Sequence, residues 1–263
     1  MIKNKTPAQL EKMAAAGAIV AGCLKMLKEH CRAGVATIEL DRLAERFIRE
    51  RGGVPTFKGY RGYPAAICAS PNSTVVHGIP GPYRLRDGDI LSLDVGVTLA
   101  GWVGDAAITV EIGDAGKLAR TLMDVTSESL NRAIARCRPG NRLGDVSSAI
   151  QDYVEANGFS VVRTLVGHGI GRKMHEAPQI PNFGTPGEGP ELKEGMVLAI
   201  EPMVNAGTHR VSVGEDEWAV STADGSLSAH FEHTVAVTAQ GPWVLTMAAG
   251  EKQAGLEASS LLW

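Results

Sequence analysis

Aromatic side chains are scarce in this chain of 263 residues, with five Phe, four Tyr and four Trp. Rings that fall together in so aromatic-poor a sequence therefore mark a place to read closely. Cysteine is sparse too. Cys23, Cys31, Cys68 and Cys137 lie far apart and form no C-x-x-C pair, which excludes a zinc knuckle or a thioredoxin-type motif and reads as reduced thiols in a cytoplasmic protein. Neither sign of charge dominates: 26 Lys+Arg face 29 Asp+Glu, a formal net charge of −3. A nucleic-acid binder needs a basic surplus, so that class is set aside. No tract is biased in composition, and 44% apolar residues suffice for a core, which excludes disorder. The phosphate-binding loops are missing as well. Gly113-Asp114-Ala115-Gly116-Lys117 lacks the spacing and the Ser/Thr of a nucleotide loop, and the glycines 167, 169 and 171 miss the dinucleotide spacing.

Long hydrophobic runs are also lacking. The run Met13 to Leu24 has 12 residues, short of the roughly 20 that span a bilayer. Behind Lys3, Lys5 and Lys12 it has the look of a signal segment, and Val20-Ala21-Gly22-Cys23 resembles a lipoprotein cleavage box. The preferred reading is a helix of the folded protein. Met13, Ala16, Val20, Cys23 and Leu27 recur at three- and four-residue steps, Glu11 precedes the run, and Thr6-Pro7 is a helix start.

What the chain does contain is itself, twice. Cys31-Arg32-Ala33-Gly34 through Gly52 aligns with Cys137-Arg138-Pro139-Gly140 through Gly158 at an offset of 106. Leu85-Arg86-Asp87-Gly88 through Asp94 aligns with Leu192-Lys193-Glu194-Gly195 through Glu201 at an offset of 107, and Asp105–Val110 with Glu232–Val237 at 127. The second hairpin thus carries about twenty extra residues by the difference of those offsets. Two copies predict one domain, 1–263, of pseudo-symmetric halves at about 5–112 and 113–246 with a short tail, 247–263. Each half reads helix, helix, strand hairpin, and the helix at 7–30 finds its counterpart at about 114–136. Ile90–Leu93 and Val197–Ile200 are apolar on both faces, as strands covered by other elements are. The predicted fold is α+β: a curved, mostly antiparallel sheet with four helices on its convex face.

The chemistry lies at the strand ends. Asp94 and Asp105 flank a stretch with Gly96, Gly101 and Gly104. A hairpin centred near Leu99-Ala100 sets them directly opposite, with Cβ atoms roughly 4.5–5.5 Å apart. Carboxylates that close repel, and a cation is the simplest remedy; for this hairpin alone, acids turned to water at strand ends would serve as well. The repeat tips the balance, because Glu201 stands in the place of Asp94 and Glu232 in the place of Asp105. Four carboxylates carry −4 and two divalent cations carry +4. His168, in Val166-Gly167-His168-Gly169-Ile170-Gly171, is the natural nitrogen ligand, and its glycines let backbone approach closely. Oxygen-rich sites with one imidazole suit Co²⁺, Mn²⁺, Fe²⁺ or Zn²⁺.

In this order Asp94, Asp105, His168, Glu201 and Glu232 resemble the five ligands of the pita-bread metallopeptidases, and within them the type I methionine aminopeptidases. The likeness runs from about residue 5 to 246 and includes Lys5-Thr6-Pro7, Gly62-Tyr63-Pro64, Val76-His77-Gly78-Ile79-Pro80, Ile200-Glu201-Pro202 and Phe231-Glu232-His233-Thr234. No long insertion separates His168 from Glu201, unlike the type II enzymes, and no long N-terminal domain precedes the repeat, unlike the prolidases.

The resemblance implies removal of the initiator methionine from newly made proteins when the second residue is small, by metal-bound hydroxide attack on the first peptide bond. Asp94 then serves one ion, His168 and Glu201 the other, and Asp105 and Glu232 bridge. Glu201 doubles as proton shuttle, His175 contacts the scissile carbonyl oxygen and His77 the scissile nitrogen. Tyr60, Tyr63, Cys68 and Trp218, with Phe57 and Met174 around them, are the expected methionine pocket. His30, His209, His230 and His233 are expected at the surface or behind the site, with His233 nearest to it. The family pattern departs at Ala106, where Thr is common, at His230, where Gln is common, and at Phe57 and Met174. Nascent chains are the expected partners, with the ribosome nearby; a monomer, with no membrane and no nucleic-acid substrate, completes the expectation. Two competing readings are a proline-specific peptidase of the same fold and a binding module that has lost catalysis; the latter would lack the ligands.

Overall fold

The computed structural model describes residues 2–247. The expected tail lies outside them except for Met247. Four helices, α1 (Pro7–His30), α2 (Thr37–Glu50), α3 (Gly116–Ala135) and α4 (Leu143–Ala156), pack on an antiparallel sheet of nine strands. α1 begins as its sequence dictates. Pro7 takes the first helical position, where its missing N–H costs nothing, and the Gln9 side chain accepts a hydrogen bond from Thr6 N–H at 3.0 Å. Met13, Ala16, Val20, Cys23 and Leu27 are all wholly buried, so the three-and-four pattern is one face of a helix inside the fold. Among the described residues no helix is long and apolar enough to cross a membrane. Backbone meets backbone beneath α1. A Cβ on Gly104 would stand 2.8 Å from Gly17 N, and one on Gly17 would strike Leu245 O.

The middle of the sheet is two hairpins side by side. Ile90–Leu99 pairs with Trp102–Glu111, which pairs with Glu232–Thr238, which pairs with Val197–Ile200. Each half contributes helix, helix, hairpin, and the halves meet between Trp102–Glu111 and Glu232–Thr238. α1 and α2 bury one apolar cluster with the first hairpin, including Leu40, Leu91 and Val95; α3 and α4 bury another with the second, including Leu122, Ile150 and Leu198. Both strands read as apolar on two faces are buried throughout. The extra residues of the second half form short strands, Met203–Asn205, Val211–Val213, Val220–Thr222 and Ser228–His230, in two small sheets.

The first hairpin corrects the expected register. Its closing pair is Leu99 and Trp102, so Asp94 faces Ala107 and Asp105 faces Gly96. The two acids share a face as diagonal neighbours rather than directly opposite. The cause is the turn. Ala100 (φ 48°) and Gly101 (φ 77°) both adopt left-handed backbone, which makes a two-residue primed turn and moves the centre one residue onward.

Candidate metal centre

One row of side chains crosses four adjacent strands. Cys68 faces Asp94, Asp94 faces Ala107, and Ala107 faces Glu232. Partners in a row share a face of the sheet. Asp105 lies on that face as well, two residues before Ala107. The small Ala107 at the middle leaves open the space between the carboxylates. His168 enters from Val166–Gly169, opposite Ala199. Its neighbours must be glycine: a Cβ on Gly167 would meet Ala199 O at 2.4 Å, and one on Gly169 would strike Ala177 O.

The electrostatics of this cluster favour a cation. Asp105, His168 and Glu232 are buried, and the half-buried Asp94 and Glu201 lie against them. His168 Nε2 stands 3.6 Å from Glu201 Oε1 and 3.8 Å from Asp105 Oδ2. One donor atom each from Asp105, His168 and Glu232 falls within 4.8 Å of the others. Burial lifts the Asp94 carboxyl to about 7. Burial, and then neighbouring carboxylates, hold Asp105, Glu201 and Glu232 well above the ordinary range. Asp94 Oδ1, Asp105 Oδ1 and Glu232 Oε1 are buried without a hydrogen-bond partner among the described residues. Orphaned carboxylate oxygens are costly unless something positive faces them. The imidazole fits the same demand. Gly169 O accepts a hydrogen bond from His168 Nδ1 at 3.0 Å, so the proton sits on Nδ1 and the Nε2 lone pair faces the acids, the arrangement a metal-binding histidine needs. Burial, and then the nearby His175, push His168 down to about 4, which keeps it neutral. The residues present thus fit divalent ions.

A cavity of about 180 Å³ opens over the row. Its wall contains all five candidate ligands, His77, His175, and the six residues read as a methionine pocket: Phe57, Tyr60, Tyr63, Cys68, Met174 and Trp218. Tyr63 and Trp218 meet edge to face at 5.1 Å, and Tyr60 O–H lies 2.8 Å from His175 Nδ1. Gly96 is bare because Phe57 occupies that space; a Cβ there would come within 2.5 Å of the ring. His77 holds a left-handed backbone (φ 59°), strain of the kind that accumulates at functional sites. Burial first lowers His77 and His175, so both rings stay neutral.

One residue escaped the sequence reading, and one expected behind the site stands closer than the neighbour expected to be nearest. Arg61 lines the cavity mouth from a left-handed position (φ 51°) and carries no motif. His230, not His233, approaches the site. Its Nε2 is 4.0 Å from Glu201 Oε2, and its ring is buried. His233 turns the other way and meets Thr246 Oγ1 at 2.9 Å, because successive side chains of a strand alternate faces and only even positions join Glu232. The same alternation settles Ala106. It is buried in the apolar cluster beneath the sheet, so a hydroxyl there would point away from the acids. Asp105 instead receives help across the seam, where Thr234 Oγ1 accepts from Asp105 N–H and donates to its C=O.

Two hairpins that gather acids and one imidazole beneath an apolar cleft define a metallopeptidase of the pita-bread fold. The chain belongs to metallopeptidase family M24, whose profile matches residues 11–239. It is 53% identical over 247 residues to a methionine aminopeptidase of Clostridium perfringens, covering 94% of this chain and 99% of that one. Against a methionine aminopeptidase of Bacillus subtilis the identity is 52% over 246 residues, with coverage of 94% and 99%. The crystal structure of a methionine aminopeptidase from Thermotoga maritima superposes with a TM-score of 0.93 at 47% identity, covering 94% of this chain and all of that one. A prolidase from Pyrococcus furiosus matches at 0.75 and 21% identity over 95% of this chain and 66% of that one, a likeness of fold alone.

Proposed function

We propose that this enzyme removes the N-terminal methionine from newly made proteins whose second residue is small. The observation that carries the reading is the set of buried carboxylate oxygens of Asp94, Asp105 and Glu232 that find no partner among the described residues, beside an apolar cavity. Asp94 would hold one divalent ion, His168 and Glu201 a second, and Asp105 and Glu232 would lie between them; Co²⁺, Mn²⁺, Fe²⁺ and Zn²⁺ all suit the donor set. When bound, such ions lower the pKa of water from about 15.7 to about 7, which supplies a nucleophile at neutral pH.

The chain's own groups do the rest. Glu201 presents Oε1 towards His168 and keeps Oε2 on its far side, so Oε2 can take the proton of the attacking water and return it to the leaving amine. The Tyr60 hydroxyl lies 2.8 Å from His175 Nδ1; in the tautomer this role requires, it donates to Nδ1, the His175 proton sits on Nε2, and that N–H meets the oxyanion of the tetrahedral intermediate. His77 orients the scissile nitrogen. Tyr63, Cys68, Trp218, Phe57 and Met174 enclose the methionine side chain and exclude water. His175→Ala is expected to lower kcat about 10²–10³-fold, the worth of one oxyanion donor, with KM nearly unchanged; an equal loss in KM alone would assign His175 to substrate binding.

The setting that goes with this reading is a cytoplasmic monomer meeting nascent chains near the ribosome. The deciding experiment is mass-spectrometric detection of Met release from a peptide panel. Met-Ala and Met-Gly peptides are expected to lose Met and Met-Leu peptides to resist. Preferential cleavage of X-Pro bonds would replace the reading with a proline-specific one.

A further inference from the structure

The reading above leaves the His230 imidazole without a task. It is 2% exposed, and its Nε2 is buried without a hydrogen-bond partner among the described residues. Its backbone is clamped on both sides by one hydroxyl: Thr109 Oγ1 accepts from His230 N–H at 2.9 Å and donates to its C=O at 2.8 Å. Thr109 is tied in turn to Ser92 Oγ at 2.8 Å. The ring therefore projects from a rigid point towards the acids. Glu201 lies between two imidazoles, with Oε1 3.6 Å from His168 Nε2 and Oε2 4.0 Å from His230 Nε2. The second distance exceeds a hydrogen bond by about 1 Å, which a rotation of the Glu201 carboxylate can close. A buried N–H without an acceptor is costly, and Oε2 is an acceptor without a donor on that side.

We propose that His230 is a positioning residue for Glu201: its Nε2–H donates to one lone pair of Oε2, which keeps Oε1 turned towards His168 and leaves the other lone pair of Oε2 to carry a proton. The proposal rests on the reading of Glu201 as ligand and proton carrier. Leucine at this position would fill the space but leave the carboxylate free to turn. Glutamine, with an amide N–H of similar reach, would replace the donor.

Four measurements test this. In zinc-loaded wild-type protein, where Glu201 is ionised, ring nitrogen shifts of His230 are expected to be those of the Nε2-protonated tautomer; the Nδ1-protonated form overturns the proposal, and this readout needs no variant to fold. His230→Leu is expected to lower kcat about tenfold, the worth of one charge-assisted hydrogen bond, with KM within about twofold. It should also weaken calorimetric binding of Co²⁺ to metal-free protein. His230→Gln restores both. Wild-type behaviour of the leucine variant, or glutamine no better than leucine, overturns the positioning role. Loss of one imidazole from the cobalt X-ray absorption of His230→Gln overturns it in favour of direct ligation. If wild-type protein releases no Met, or does so after thorough chelation, it is the underlying reading that fails; if wild type behaves as expected and His230→Leu matches it, only the role of His230 does.

Discussion

Glu232→Gln, Asp105→Asn and Asp94→Asn should each abolish Met release from a Met-Ala peptide, lowering kcat/KM by at least about 10³-fold, some 4 kcal/mol of transition-state stabilisation, while the fold persists. The amide keeps the shape of the carboxylate and one carbonyl oxygen but removes a unit of negative charge. In the row formed by Asp94, Ala107 and Glu232 that charge is what would balance the two divalent ions proposed above. Without ions the substitution should be neutral or stabilising, because these acids are raised by burial and by one another; removing one relieves both. Activity and stability therefore move in opposite directions, and kinetics combined with thermal unfolding of the metal-free proteins reads both. A buried acid outside the site gives the contrast. Asp41 is also buried, but its Oδ1 accepts hydrogen bonds from Ala66 N–H at 2.8 Å and Ile67 N–H at 3.1 Å, so Asp41→Asn should change stability and spare kcat. Full activity in Glu232→Gln would leave the acid row without a catalytic role.

The contrast between Asp41 and Glu232 also marks how far a sequence can be read. The duplication made the acids legible, because the same turn, strand and carboxylate recur at 94 and 201, and again at 105 and 232. The helices were legible from period alone, as the buried stripe of α1 illustrates. Register was not. It depended on whether Ala100, an ordinary residue, would accept left-handed backbone beside Gly101, and local sequence does not declare that. Strand alternation sends His233 away from Glu232, but it does not carry back to His230, which ends a strand of a separate small sheet paired with Met203–Asn205. Arg61 was not legible either. It reaches the cavity mouth through a left-handed turn in a loop whose course is set by tertiary packing. The three-residue strands between Ile200 and Glu232 are equally silent, being too short to show a period.

Removal of divalent ions is the second large effect. Thorough chelation should end Met release, and Mn²⁺ or Co²⁺ should restore it. The same experiment followed by melting has a pH signature with a definite sign. In the metal-free protein the Asp94 carboxyl titrates near 7 instead of its ordinary 3.8. Between those values the folded state holds a proton that the unfolded state has released, so metal-free stability falls as pH rises through that window. Bound cations reverse the preference, since they favour the ionised carboxylates and must displace their protons. Affinity for the ions therefore grows with pH, and the melting gap between loaded and metal-free protein widens from about pH 5 to about pH 8. At ion concentrations a hundredfold above Kd, ligation adds about 2.7 kcal/mol, which for a chain of this size is a shift of about 5–10 °C. Glu232→Gln should flatten the pH dependence, because one of the groups that must lose its proton is gone. Activity that survives chelation would show that the carboxylates serve something other than ions. A gap that does not change with pH would show that the acids are already ionised without them, and the argument from their burial would fail with it.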